Sequence, residues 1–235
     1  MKANNMLVLV TLLGLVSCGG GGGGGSGSSG NGNGSVVVQT PSSQEMSEAT
    51  PGTYYTVLRP VNFHSNGFIP YGMATFTLKG DQLQVDVSMD DDQRVPHRQS
   101  LHIGARCPGA SDDTNGDGLI DYNEAIAVVG SVIMPLDGDL NSQMGGSGVY
   151  PSGPAMTYSK IASLSKINSD LWKADEDPSD HVIKLNPGKS VGFEGRVVLA
   201  HGTTQNSFPT SLSSFRGEPA HLSLPVVCGV LKKIE

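Results

Sequence analysis

The residues best suited to chemistry in this chain are Asp113, Asn115, Asp117, Leu119, Asp121 and Glu124, within the run Asp113-Thr-Asn-Gly-Asp-Gly-Leu-Ile-Asp-Tyr-Asn-Glu124. Their spacing satisfies D-x-[DN]-x-[DN]-G-x5-E, a pattern that wraps oxygen donors around one point. A hard cation such as Ca2+ needs several oxygens at once. Asp113, Asn115 and Asp117 are expected to offer side-chain oxygens, and Leu119 its backbone carbonyl. Asp121 reaches the ion directly or through water, and Glu124 closes the shell with both oxygens. Gly118 falls where the loop must turn with positive φ, which a residue without Cβ tolerates. Ile120 is expected to point back into the protein as an apolar plug. An acidic solvated turn would leave the placing of the glycine, the isoleucine and the closing glutamate unexplained.

Other chemistries find little support. Gly146-Ser147-Gly148 lacks the flanking pattern of a nucleophile elbow. No phosphate-cradling loop with a following lysine is present, and no Cys-x-x-Cys. The formal charge of −7 disfavours nucleic acid and anionic lipid surfaces as direct ligands. Asp90-Asp91-Asp92 and Asp175-Glu176-Asp177 lack spaced-ligand grammar and read as exposed solubilising turns. Trp172, the single tryptophan, reads as a core anchor rather than a sugar-stacking platform.

The amino-terminal residues supply an address. Lys2 precedes the apolar stretch Met6 to Val16, which is too short to span a bilayer as a helix. Residues 1–17 therefore read as a signal segment, and Leu15-Val16-Ser17-Cys18 resembles the box at which bacterial lipoproteins are cleaved and lipidated on cysteine. An ordinary cleaved secretion signal is the alternative. Residues 18–51 read as a tether, almost purely Gly, Ser and Asn as far as Ser35 and of mixed polar composition beyond it. Its Gly-rich part reaches roughly 20–25 Å as a flexible coil. Gly19 is not the aspartate that retains lipoproteins in the inner membrane, so the expected location is the outer membrane, held there by lipid on Cys18. Of the three cysteines, Cys107 and Cys228 then remain as an even pair in an oxidising compartment. A disulfide is the economical reading, and two buried free thiols the alternative.

Residues 52–235 are long enough for one domain with a sizeable core. Gly, Pro, Ser and Asp punctuate it about every ten residues, and long helical periodicity is absent. The expected class is mainly β, an antiparallel Greek-key sandwich or barrel with the inserted loop 113–124 and little helix. Strands are expected at Gly72–Leu78 and Gln82–Met89, with Leu83, Val85, Val87 and Met89 on one face. Others are expected at Tyr54–Leu58, Ser100–Ile103, Val128–Pro135, His181–Leu185, Val191–His201 and Ala220–Leu231. Helix is expected only over Asn123–Val128 and Tyr158–Ser165. Gly138–Tyr158 and Gln205–Gly217 read as long surface loops. Cys107-Pro108-Gly109-Ala110-Ser111 cannot make a good helix leading into the cation loop, and no second such loop exists. A lone loop has no helix pair to open, so bracing is expected rather than signalling.

The order of motifs resembles a known family. A hairpin, then His102-Ile103-Gly104-x-x-Cys107, the EF-hand-type loop, Gly195-Arg196-Val197-Val198-Leu199-Ala200-His201, and finally Val227-Cys228-Gly229-Val230 resembles chordin-type (CHRD) domains of bacterial secreted proteins. More distantly it is similar to the copper/zinc superoxide dismutase fold. That likeness implies pairing of Cys107 with Cys228, and it implies a copper-binding histidine at His201. The chain departs from the dismutase pattern where the copper ligands matter. Ser100 and Gly104 flank His102, so the i, i+2 histidine pair is missing, and no histidine lies between Cys107 and Tyr158. His97, His102 and His201 are the residues left to such a site, and His97 could join only if its strand bends.

The reading that emerges is a calcium-binding, lipid-anchored envelope protein with a structural or binding task rather than a catalytic one. A dismutase-like copper enzyme is the alternative from another class. An adhesin or inhibitor gripping an envelope protein through its long loops is a third.

Overall fold

A computed structural model of the chain describes residues 48–63, 67–141, 148–173, 183–204 and 208–235. The signal segment, Cys18 and the Gly-rich tether lie outside the described residues, as does Asp175-Glu176-Asp177. The protein is mainly β. Among the described residues, nine strands form one curled antiparallel sheet: β1 (Gly52–Pro60), β2 (Tyr71–Lys79), β3 (Gln82–Asp90), β4 (Gln99–His102), β5 (Val132–Pro135), β6 (Ala155–Ser163), β7 (Val197–His201), β8 (Pro225–Val230) and β9 (Lys232–Lys233). Their order is β5-β4-β7-β8-β1-β2-β3-β6, with β9 beside β1. Among the described residues three α-helices interrupt them: α1 (Tyr122–Val129), α2 (Leu164–Lys173) and α3 (Ala220–Ser223).

The β2–β3 hairpin shows how local sequence sets register. Lys79 pairs with Gln82 across Gly80-Asp81, and Gly80 takes φ +60°. Glycine first in a two-residue loop suits the II′ turn, whose twist matches the flanking strands. Leu83, Val85, Val87 and Met89 then all face inward and are buried, as their alternation requires. Strand β1 joins the two halves of the sheet: Gly52–Leu58 pair with β2, while Arg59 and Pro60 pair with Cys228 and Val227 of β8.

Inside the curl lies the main core, centred on Tyr54, Phe76 and Phe193. The Phe193 ring stands 5.5 Å from Tyr54 and 5.7 Å from Phe76. Leu164, Ile167 and Leu171 of α2 add its apolar face to this core. Trp172 packs against it half-buried and donates from Nε1 to the Lys189 carbonyl at 2.8 Å. A second, smaller core lies on the other side of β7 and β8, where Ile120, Tyr122, Ala125, Ile126 and Val129 meet Val197, Leu199 and Cys228. Strand β7 is therefore covered on both faces, which accounts for its unbroken apolar run.

Several elements differ from the expectations. Tyr158–Ser163 is not helical but belongs to β6, paired along its whole length with β3, and helix starts only at Leu164. Met156, Tyr158 and Ala162 face inward there, and Lys160 at the intervening inward position breaks the alternation that would have marked a strand. The expected strand from Val128 begins as the end of α1, which stops at Gly130 (φ +71°), so β5 is shorter. Residues 191–196 are irregular, although Val191 and Phe193 are core residues. Ala220–Ser223 form a helical turn before β8. His181 lies outside the described residues, and residues 183–185 form no strand, though the Ile183 N–H donates to Val132 beside β5. The loop expected to run to Tyr158 ends sooner, because β6 begins at Ala155. Asp91 does not stand in an exposed turn. It is fully buried, with Oδ1 accepting the Gln93 N–H at 2.9 Å.

Candidate functional site

Cys107 and Cys228 form the expected disulfide, with Cα atoms 5.8 Å apart. The bridge closes a loop of 121 residues, for which the chain-entropy model gives about 4–5 kcal/mol. It also fixes the chain just ahead of Asp113 to the centre of β8. Between the two, Ala110–Asp112 form a short 3-10 turn. The Arg106 guanidinium holds both oxygens of Asp112, at 2.7 and 2.8 Å, and keeps that carboxyl below its ordinary pKa.

The loop beyond is organised by its own side chains. Asp113 Oδ1 accepts the N–H groups of Gly116 (2.7 Å) and Asp117 (3.2 Å), and its Oδ2 accepts that of Gly118 (2.8 Å). Asn115 Oδ1 accepts from Asp117 N, and Asp117 Oδ1 from Leu119 N. Each side chain thus folds back over the turn that follows it, as short polar residues do. Gly116 and Gly118 take φ +74° and +85°, where a Cβ would be strained. Ile120 is buried in the second core, as the plug reading requires. Asp121 then caps α1: its Oδ1 accepts from Glu124 N, and Glu124 Oε2 accepts from Asp121 N, a reciprocal capping box. Tyr122, Ala125, Ile126 and Val129 bury the inner face of that helix.

Glu124 has a second occupation. Its Oε1 accepts the N–H and hydroxyl of Thr114, at 2.7 and 2.8 Å, and the Asn115 N–H at 3.2 Å. The glutamate thereby ties the start of the loop to the start of α1. Among the described residues, no three His, Cys, Asp or Glu side chains are gathered closely enough to hold a metal ion. The donor set itself is all oxygen, the chemistry of hard cations. Ionised carboxylates have about four lone-pair sites each, so Asp117 and Asp121 can accept their N–H bonds and still coordinate. For Glu124 to close a shell with both oxygens, it must release the Thr114 and Asn115 N–H groups.

Two segments that short-range spacing does not reveal hold the loop from outside. From within the protein, Asn62 grips Ile120, accepting its N–H at 2.9 Å and donating to its carbonyl at 2.9 Å. From the surface, Ser211 Oγ donates to Asp117 Oδ2 at 2.6 Å, and Ser213 N–H to Asp121 Oδ2 at 3.0 Å. Both partners come from distant segments, 58 and about 90 residues away.

His97, His102 and His201 are all buried. His102 has both ring nitrogens engaged, Nε2 with Ser100 Oγ at 2.8 Å and Nδ1 with the Gly130 carbonyl at 2.9 Å. His97 Nδ1 lies 3.2 Å from the His201 carbonyl, and His201 Nδ1 lies 3.3 Å from that of Arg98. Burial first, then His102 and Arg98, push the His201 pKa down to about 3, so the ring is neutral. Gly104 is one of the two positions that lie two residues from His102, and its backbone lies against the end of α1. A Cβ there would stand 2.5 Å from the Val129 carbonyl oxygen, and the Gly104 N–H donates to that same oxygen at 2.7 Å. Position 104 has no room for a histidine, and the other such position is held by Ser100, whose hydroxyl meets His102 Nε2.

Compared with protein-family models and with curated proteins, the chain finds no match in either. The chordin-type and dismutase-like resemblance therefore rests on the chain's own motifs.

Proposed function

We propose that this protein is a lipid-anchored component of the bacterial cell envelope, attached through Cys18. Its β-rich domain is braced by one Ca2+ in loop 113–124 and serves a structural or binding task rather than catalysis. The supporting observation is the arrangement of Asp113, Asn115 and Asp117. Each is curled over a following turn by backbone N–H bonds, with Gly118 at positive φ and Ile120 plugged into the second core. Asp113, Asn115, Asp117, the Leu119 carbonyl, Asp121 and Glu124 would hold the ion. When bound, Ca2+ would offset the mutual repulsion of these acids and order the loop. Extracellular modules of this kind have dissociation constants of about 10⁻⁴–10⁻³ M.

The test is titration calorimetry on the metal-stripped domain, paired with thermal melts of the native protein and Glu124→Gln. The native protein is expected to take up one Ca2+ and to melt higher when it is present, the stabilisation at 10 mM being about 2–3 kcal/mol if the constant is near 10⁻⁴ M. Glu124→Gln is expected to lose most of that shift. Absence of heat uptake and of any melting shift in the native protein refutes the reading.

A further inference from the structure

The carboxamide of Asn62 lies two residues beyond β1 and is buried, with 5% of its surface exposed. All of its contacts join segments remote in sequence. Oδ1 accepts the Ile120 N–H at 2.9 Å, and Nδ2 donates to the Ile120 carbonyl at 2.9 Å and to the Pro225 carbonyl at 2.8 Å. One side chain therefore satisfies both backbone groups of a single loop residue and the first carbonyl of β8. Next to it, the Val61 N–H donates to Val226 at 2.8 Å and continues the β1–β8 pairing.

Ile120 stands between two of the oxygen donors assigned above, the Leu119 carbonyl and the Asp121 carboxylate. It is buried, and a buried backbone N–H or C=O without a partner costs free energy comparable to a lost hydrogen bond. We propose that Asn62 is the positioning residue of the cation loop: it holds the Leu119–Asp121 segment in place and couples the loop's metal state to the β1–β8 corner. The inference rests on the calcium reading of loop 113–124. Two consequences follow from the geometry. The loop binds Ca2+ more tightly because some of its ordering is already supplied by a side chain of the sheet. Ca2+ in turn steadies an amide outside the loop, that of Val61, which donates to Val226 beside Asn62.

Asn62→Asp is the informative change. It keeps an acceptor for the Ile120 N–H but turns an oxygen toward two carbonyls. Partners that orient metal ligands typically account for 10–100-fold in affinity. Calorimetry of the metal-stripped Asn62→Asp domain with CaCl2 is expected to give a dissociation constant at least tenfold weaker than that of the native protein. Val85→Ala, a truncation in the main core away from the loop, is the control. It is expected to lower the melting temperature with its calcium constant within twofold of native. Hydrogen exchange on the native protein needs no variant: added Ca2+ is expected to slow the Val61 amide, outside the loop, about tenfold.

An Asn62→Asp protein that binds Ca2+ with the native constant overturns the role of Asn62 and leaves the calcium reading standing. So does a native Val61 amide whose exchange ignores Ca2+ although calorimetry registers it. Lack of calcium uptake by the native protein overturns both. If Asn62→Asp fails to fold, the exchange measurement decides.

Discussion

Neutral, buried His201 makes the domain sensitive to mild acid, and the effect can be calculated from its surroundings. In the unfolded chain the imidazole titrates near its ordinary value of 6.5, whereas in the fold burial brings it to about 3. Above pH 6.5 both states carry the neutral ring and it contributes no pH dependence. Below that, the unfolded state takes up a proton that the native state refuses, so stability falls with pH until about pH 3. Each pH unit in this window costs about 1.4 kcal/mol, so descending from pH 7.5 to pH 5.0 costs about 2 kcal/mol. Asp81 and Asp112, both held below 3.8 by hydrogen bonds to Ser163 and Ser165 and to Arg106 respectively, remain ionised across that range. They do not contribute to the difference. The assay is urea unfolding of the native protein and His201→Gln at both pH values, without Ca2+. The native protein is expected to lose about 2 kcal/mol more than the variant on acidification. Groups common to the two proteins cancel in the comparison. If both lose the same amount, the ring is not shielded as its burial implies, and the reasoning fails.

Other changes probe the remaining features. Gly104→Ala places a methyl group against the Val129 carbonyl and is expected to destabilise the domain by about 1–3 kcal/mol, read as a lower urea midpoint; an unchanged midpoint would show that α1 can shift aside. Cys18→Ala is expected to move the protein from the membrane to the soluble fraction of cell extracts, and its retention in the membrane would remove the lipid anchor from the proposal. Glu124→Gln is expected to keep the fold while losing the calcium-dependent rise in melting temperature.

Much of this architecture is legible in the chain because it is written in short-range pattern. The alternation Leu83-x-Val85-x-Val87-x-Met89 gives β3 its inward face, and Gly80 gives its hairpin. Asp121 followed three residues later by Glu124 marks the start of α1. Counting cysteines reaches the Cys107–Cys228 bridge. Where pattern gives way to tertiary context, reading is lost. In β6, Lys160 occupies an inward position and conceals a strand that β3 holds by full-length pairing. Val191 and Phe193 look like strand residues because they are apolar, but they fill the core from irregular backbone. Asp91 looks like a solvated acid because it stands in a run of three, and only the fold encloses it. Asn62, Ser211 and Ser213 reach the loop across 58 to 94 residues. Nothing local distinguishes them from other turn-forming polar residues. The loop's turns and plug are legible by spacing; the groups that hold it in place are not.

Strand β1 and the last residues of the chain lie side by side. Thr53 N–H donates to the Glu235 carbonyl, the Ile234 N–H donates to Thr53, and Tyr54 and Tyr55 pair with Lys233 and Lys232. A pull arriving from the amino-terminal side is thus met first by a two-residue ribbon, β9, and by the long β1–β2 ladder. Rungs at such an end break in succession instead of sharing the load. The opposite end of β1, where Arg59 faces Cys228, is backed by the covalent bridge. Tension would therefore unpick β1 from Gly52 inward, while the bridge keeps β8 joined to the segment ahead of the acidic loop after β1 has left.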